Sequence, residues 1–276
     1  MYKQLQCGRF QLDLSRPQVM GILNVTPDSF SDGGRYTDVD KALFHVEEML
    51  NDGADIIDIG AESTRPGAAF VDKQTELARL LPVIEAIQAR FACCLSVDTN
   101  KPAVMREVLA REVDMINDVR GFVAKDALQT VAKSQAAICI MHMQGLPQSM
   151  QDNPHYQDVI GEVSDFLLTR AEAAVQAGIT QSRITIDPGF GFGKTPEQNL
   201  LLLKHLAGLA KHYPVLLGLS RKSTLGVILG DDKADRTIAS VTGALLAVQQ
   251  GAAIVRVHDV RATVDALKVY HAVNSI

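Results

Sequence analysis

Eight short apolar runs, each followed by a longer amphipathic stretch, constrain the fold of this chain more than any other feature. The runs fall at residues 19–25, 55–61, 94–99, 115–119, 137–142, 184–188, 215–220 and 254–259. Rich in Val and Ile and too short for helices, they read as buried strands. Between them Ala42, Leu43, Val46, Met49 and Leu50 recur at helical spacing over 41–51, and Gly53 follows as a stop. Pro102 sits in the first turn of a helix over 101–111, and Thr195-Pro196 cap and open another over 197–209. Further helices are expected over 158–177, 234–250 and 261–273, and over 72–91 with a kink or break at Pro82.

Strands alternating with helices require parallel, right-handed crossovers. Eight such units predict a TIM-type (β/α)8 barrel. An open doubly wound sheet usually has fewer strands, and no Gly-x-Gly-x-x-Gly follows the first run to support one. Residues 1–18 precede the first barrel strand and read as an N-terminal β-hairpin capping one end. No low-complexity linker divides residues 1–276, so a single domain is expected.

Lys+Arg 27 against Asp+Glu 32 gives a net charge of −5, which disfavours nucleic acid as a partner and leaves room for a small anion held by local cations. The longest apolar runs, such as 136–141, fall far short of the roughly 20 residues a bilayer needs, so no membrane association is expected. Residues 1–10 carry Lys3 and Arg9 without an apolar core, so no secretory leader is expected. Cys7, Cys93, Cys94 and Cys139 lack metal or redox spacing and read as small apolar residues kept reduced in a cytoplasm.

Function in such a barrel sits at the C-terminal ends of the strands. Those ends are polar here: Asn24, Asp58 with Glu62, Asp98, Asn117 with Asp118, His142, Asp187, Arg221 with Lys222, and Arg256 with His258. Acids and amides on several strands, with cations on the last two, suit a ligand with hydrogen-bond donors at one end and an anion at the other. Arg256 and His258 are two apart on a strand and point the same way, inward by preference, since a guanidinium fits poorly against a helix layer. Asn117 and Asp118 serve a turn or a ligand equally well, His142 reads as a packed histidine, and Asp58 reads equally as a buried supporting carboxylate or a catalytic one. The stretch 189–195 imitates a P-loop, but its glycine spacing is one residue short. A flexible strand-to-helix loop is the better account. Residues 26–34 form a long polar loop containing Phe30, suited to a lid.

The ordered set of motifs resembles the dihydropteroate synthases over nearly the whole chain. It runs through Met20-Gly21-Ile22-Leu23-Asn24-Val25-Thr26-Pro27-Asp28-Ser29-Phe30, Asp58-Ile59-Gly60-Ala61-Glu62-Ser63-Thr64-Arg65-Pro66-Gly67, Ser96-Val97-Asp98-Thr99, Ile116-Asn117-Asp118 and Met141-His142-Met143-Gln144-Gly145. It continues through Asp187-Pro188-Gly189-Phe190-Gly191-Phe192-Gly193-Lys194, Ser220-Arg221-Lys222-Ser223 and Arg256-Val257-His258-Asp259. Ala61 stands where the family usually has glycine, and Thr224 where it usually has a larger apolar residue.

The resemblance implies condensation of 6-hydroxymethyl-7,8-dihydropterin diphosphate with 4-aminobenzoate by an SN1-like route, giving 7,8-dihydropteroate and diphosphate. It places Asp98, Asn117, Asp187 and Lys222 on the pterin. Asn24, Thr64, Arg256 and His258 fall on the diphosphate, with Asn24 also on Mg2+. Phe30, Arg65, Pro66, Gly191, Phe192 and Ser223 fall around 4-aminobenzoate. The catalytic set becomes Asp98, Lys222, Arg256 and His258. It also implies a homodimer formed through late helices, within 197–209 or 234–250. Three rivals stand beside it: a pterin-barrel methyltransferase using a corrinoid, an aldolase-like barrel with Lys222 as Schiff base, and a non-catalytic pterin binder. Asn24, Arg256 and His258 disfavour the last, since a pure pterin binder needs no diphosphate site.

Overall fold

In the computed structural model, residues 2–26, 35–63 and 67–275 are described. Eight parallel strands close into a barrel: β3 (Gln18–Asn24), β4 (Ile56–Gly60), β5 (Cys94–Asp98), β6 (Met115–Asp118), β7 (Ala137–Met141), β8 (Ile184–Asp187), β9 (Val215–Leu217) and β10 (Ala252–Val257). β10 pairs with both β9 and β3, which completes the ring. β1 (Gln4–Cys7) and β2 (Phe10–Asp13) form the expected antiparallel hairpin. Around the ring lie α1 (Arg35–Asn51), α2 (Lys73–Arg90), α3 (Pro102–Leu109), α4 (Ala127–Ala132) and α5 (Val159–Gln176). They are followed by α6 (Pro196–Lys204), α7 (Leu206–Ala210), α8 (Ser223–Leu229), α9 (Thr237–Gln249) and α10 (Val260–Asn274).

Period-two alternation sorts each strand between two cores. Val19, Ile57, Ile59, Leu95, Val97, Ile116 and Val255 face outward into the helix layer. Met20, Ile56, Cys94, Met115, Cys139, Leu216 and Ile254 face inward and meet Leu5, Cys7, Leu12 and Leu14 of the hairpin. The hairpin therefore closes the N-terminal end of the barrel. Each fully buried leucine there contributes about 2 kcal/mol. Asp114, with no exposure, ties the hairpin on: it accepts from the backbone and side-chain nitrogens of Arg9 at 2.8–3.0 Å and from Leu95 N at 3.0 Å. With this end filled by apolar side chains, a ligand can enter only at the opposite mouth.

The structure departs from expectation at several helices. α2 runs through Pro82 without a break. Pro82 lies on the exposed face, where water can take the carbonyl its missing N–H leaves unpaired. Residues 197–209 divide at His205 into α6 and α7, while α4 and α8, both short, were not anticipated because too few turns exist to show a period. α1 begins at Arg35, earlier than residue 41. The expected Thr195 cap is present, as a capping box with Gln198 at α6, and α2 has a cap of its own in Asp72, which accepts from Gln74 N and Thr75 N. Among the described residues no helix is long and apolar enough to cross a membrane.

Candidate active site

The inward face of the strands changes from apolar to polar on the way to the C-terminal mouth. Two residues beyond Ile56 stands Asp58; four beyond Cys94, Asp98; two beyond Met115, Asn117; two beyond Ile254, Arg256. Asp58, Asn117 and Asp187 are buried, so these groups form the bottom of a pocket and not its rim.

Arg256 organises the pocket floor. Its Nε donates to Asp58 Oδ2 at 2.6 Å, and Nη2 lies 3.6 Å from Asp98 Oδ2. The inward direction expected from residue spacing is therefore met, with a partner that spacing did not supply. Asp58, which the sequence leaves between a supporting and a catalytic role, is the counter-ion of the site. Asn117 Nδ2 approaches the same Asp58 oxygen at 3.5 Å. Two acids share one guanidinium, which favours the neutral form of the less closely paired one. Burial pushes the Asp98 carboxyl up to about 8; Arg256 opposes that shift and Asp58 adds to it. Burial also works against the Arg256 cation, but Asp58 and Asp98 outweigh it and hold it above its ordinary value.

Asp187 and Lys222 act on each other electrostatically without direct contact. Burial raises the Asp187 carboxyl, with Lys222 opposing. Burial lowers the Lys222 ammonium to about 7, with Asp187 opposing. Asp187 Oδ1 accepts from Gly189 N at 2.7 Å, which fixes the carboxylate at the strand end. Lys222 Nζ donates to the Phe190 carbonyl and stands 4.3 Å from the centre of the Phe192 ring. Lys222 and Phe192, assigned from sequence to different halves of the site, thus meet at its middle.

On the other side of the mouth, Asn24 ends β3, and Gly60 separates it from Asp98. A single carbon added at Gly60 would stand 3.8 Å from both Asn24 Oδ1 and Asp98 Cβ, so the glycine keeps that space open. His258 Nδ1 lies 3.0 Å from Ser220 Oγ, which orients the imidazole at the end of β10. Ser223 is exposed in the first turn of α8. Phe30, Thr64, Arg65 and Pro66 lie outside the described residues.

Several strand-end residues serve structure. Asp118 accepts from Arg120 N and Phe122 N at 2.8 and 2.9 Å and ties a turn. Arg221 pairs with Asp259. Glu62 pairs with Lys101 at 2.5 Å and accepts from Val71 N at 2.8 Å. His142 packs edge-on against Phe166, ring centres 5.0 Å apart, in keeping with the packed histidine expected. Ala61 is fully buried, its carbonyl accepting from Arg79. Thr224 is buried with Oγ1 accepting from Asn199 Nδ2 at 3.1 Å, a polar contact that a larger apolar side chain would not make. Lys194 does not face the mouth as a phosphate-binding lysine would; it is 2% exposed and turned into its own loop.

The family description for pterin-binding enzymes matches residues 20–258. Dihydropteroate synthase of Haemophilus influenzae is 53% identical over 262 residues, covering 95% of each chain. The structure of Xanthomonas albilineans dihydropteroate synthase with 4-aminobenzoic acid superposes with a TM-score of 0.93 at 49% identity, over 100% of both chains. That of Burkholderia cenocepacia dihydropteroate synthase complexed with 7,8-dihydropteroate gives 0.89 at 49% identity, over 99% of this chain and 96% of that one.

Proposed function

The chain belongs to the dihydropteroate synthases, pterin-binding transferases that condense 6-hydroxymethyl-7,8-dihydropterin diphosphate with 4-aminobenzoate in folate biosynthesis, and from that premise we propose how its residues divide the work. Asp98, Asn117, Asp187 and Lys222 take the pterin, with Asp58 beneath them. One observation carries this assignment: Asn117 Oδ1 and Asp58 Oδ1 are buried and have no hydrogen-bond partner among the described residues. Unmet acceptors at the bottom of a pocket call for a ligand rich in N–H donors, and the pyrimidine edge of a pterin is one. Lys222 complements them with a donor for a carbonyl oxygen or ring nitrogen.

Asn24, Thr64, Arg256 and His258 take the diphosphate. For the metal, Asn24 offers a single neutral oxygen beside the space that Gly60 leaves open. Among the described residues no cluster of three or more His, Cys, Asp or Glu side chains could form a metal cage. That donor set fits Mg2+, an ion content with one or two protein oxygens plus phosphates and water. When bound, the ion supplies positive charge to the departing diphosphate. Phe30, Arg65, Pro66, Gly191, Phe192 and Ser223 form the 4-aminobenzoate side, with Phe192 against Lys222 at the junction.

The reaction is SN1-like. The bond between the pterin methylene and the diphosphate oxygen breaks with its electron pair leaving on the diphosphate. The cation that remains is delocalised into the ring, over the Asp98 carboxylate. The arylamine, neutral at pH 7, forms the new C–N bond and then releases its proton. Arg256 acts on both halves: it faces the departing anion while pairing with Asp58 and Asp98.

Purified protein given pterin diphosphate and 4-aminobenzoate should release diphosphate and form dihydropteroate only with both substrates and Mg2+ present. Release that ignored 4-aminobenzoate, or that required a corrinoid, would overturn the assignment.

The single-domain reading is supported by the hairpin packed into the end of the barrel and the ring closed by first and last strands. Cytoplasmic residence is supported by four buried cysteines that all remain free thiols. Homodimer formation through late helices is supported by exposed Leu200 and Leu201 on α6 and by exposed Leu246 and Ile238 on α9, the last 82% exposed. Sedimentation at micromolar concentration should give the mass of two chains; a single-chain mass would remove this part of the proposal.

A further inference from the structure

We propose that Lys194 is a positioning residue for the reaction: its buried ammonium fixes the 189–193 loop, and that loop places Phe192 and Lys222 at the junction of the two substrate subsites. The proposal rests on the division of subsites given above.

The geometry around the ammonium is matched to it. Burial lowers the Lys194 ammonium to about 7, with Asp187 opposing; its protonated form, held at and below that pH, has three N–H donors. Lys194 Nζ lies 3.0 Å from the Gly189 carbonyl, 3.0 Å from the Phe192 carbonyl and 3.0 Å from His142 Nδ1. The imidazole can accept because burial, followed by the nearby Lys194 charge, holds its pKa down to about 3 and leaves it neutral. Lys194 thus joins both ends of its own loop and ties them to the end of β7.

The remaining carbonyls of the loop are also taken by side chains. Lys222 Nζ donates to Phe190 O, Gln151 Nε2 to Gly191 O at 2.7 Å, and the Tyr156 hydroxyl to Gly193 O at 2.9 Å. All five carbonyls from 189 to 193 therefore accept from a side chain. In addition, Gly191 N donates to Asn199 Oδ1 at 2.7 Å, the asparagine whose Nδ2 is held by Thr224. Backbone carbonyls in an ordinary surface loop turn mostly to water; a loop with every carbonyl bound by a side chain has its conformation over-determined. The fit is close as well. Gly189 and Gly193 have φ of 70° and 64°, and a carbon added at either would stand 1.8 Å from His142 O or 2.5 Å from Gln144 O.

What the loop presents to the mouth is the Phe192 ring and, through the Phe190 carbonyl, the Lys222 ammonium. Lys194 meets the 4-aminobenzoate subsite only at the Phe192 backbone carbonyl and, being buried in its own loop, faces neither substrate. It acts through the loop on both, which distinguishes it from a lysine that binds phosphate or forms a Schiff base. Pre-organised sites need such support, because displacement of about 1 Å can reduce rates by about 10²-fold.

The test uses the full chain with Lys194→Met, which keeps length and apolar volume and removes all three donors. Amide hydrogen exchange at Gly191 and Phe192 should accelerate by about tenfold or more, with strand amides unchanged. KM for 4-aminobenzoate should rise by about tenfold, measured well below the variant's Tm. A merely structural lysine would lower the active fraction and leave KM alone. Tyr156→Phe and Gln151→Ala each remove one carbonyl partner from the outer side of the loop, and each should raise the same KM by about threefold. They decide the matter if Lys194→Met does not fold. Unchanged exchange, or faster exchange with KM within about twofold of the parent, would overturn the proposal. Because exchange is read without substrate, failure of the synthase assignment and failure of the Lys194 role remain separable.

Discussion

Asp98→Asn should lower kcat by about 10²–10³-fold while shifting the affinity for pterin diphosphate by less than about threefold. Asparagine keeps the size and one acceptor of the side chain and loses only the charge that faces the developing cation. The pH dependence carries the same information. Burial pushes the Asp98 carboxyl up to about 8, so below that pH the empty site holds the acid form. A reaction that uses the carboxylate then shows kcat/KM for pterin diphosphate rising with pH through about 8 and levelling above it, and the Asp98→Asn variant loses that limb. Stability should move the other way. A carboxyl whose folded pKa is raised binds more protons when folded, so its contribution falls as pH rises from about 4 towards 8. The variant should therefore be no less stable than the parent at pH 8. Equal loss of kcat and diphosphate affinity would count against a charge role for Asp98.

The second large effect belongs to Asp58. Its side chain has no exposure and holds the Arg256 Nε at 2.6 Å. Asp58→Asn leaves the guanidinium with Asp98, at 3.6 Å, as its remaining acid. Removing one member of a buried pair typically destabilises by about 3 kcal/mol or more, and Asp98 should keep the loss near the lower end. For a chain of this size that corresponds to a fall in Tm of about 6–12 °C. Because Asn117 Nδ2 also points to Asp58, pterin affinity should weaken in parallel. A Tm within about 1 °C of the parent, with pterin binding intact, would mean that the pair contributes nothing net. Together the two variants separate roles that sequence position confounds: Asp98 at a strand end acts on the substrate, Asp58 one turn of the pleat deeper acts on Arg256.

Much of this was legible from residue order. Runs of Val and Ile at strand length, alternating with helical periods, admit few architectures, and eight such units without a dinucleotide-binding glycine pattern favoured a closed barrel over an open sheet. The rule that barrel function sits at the C-terminal strand ends put Asp98, Asn117, Asp187 and Arg256 at the mouth before any coordinates, and the period of two gave Arg256 and His258 a common, inward direction. What the tertiary structure alone decided are the partners. That Arg256 chooses Asp58, 198 residues away, depends on β10 and β4 flanking the same strand, β3, once the ring closes, so that their inward side chains meet in the interior. That Lys194 turns away from the mouth to bind its own loop depends on β7 lying beside β8, which brings His142 within 3.0 Å. Local sequence fixes the direction of a side chain along its own strand, because alternation is a property of the backbone. It does not fix the charge or the carbonyl that the side chain meets, because those arrive from elements distant in the chain and are set only when the barrel closes.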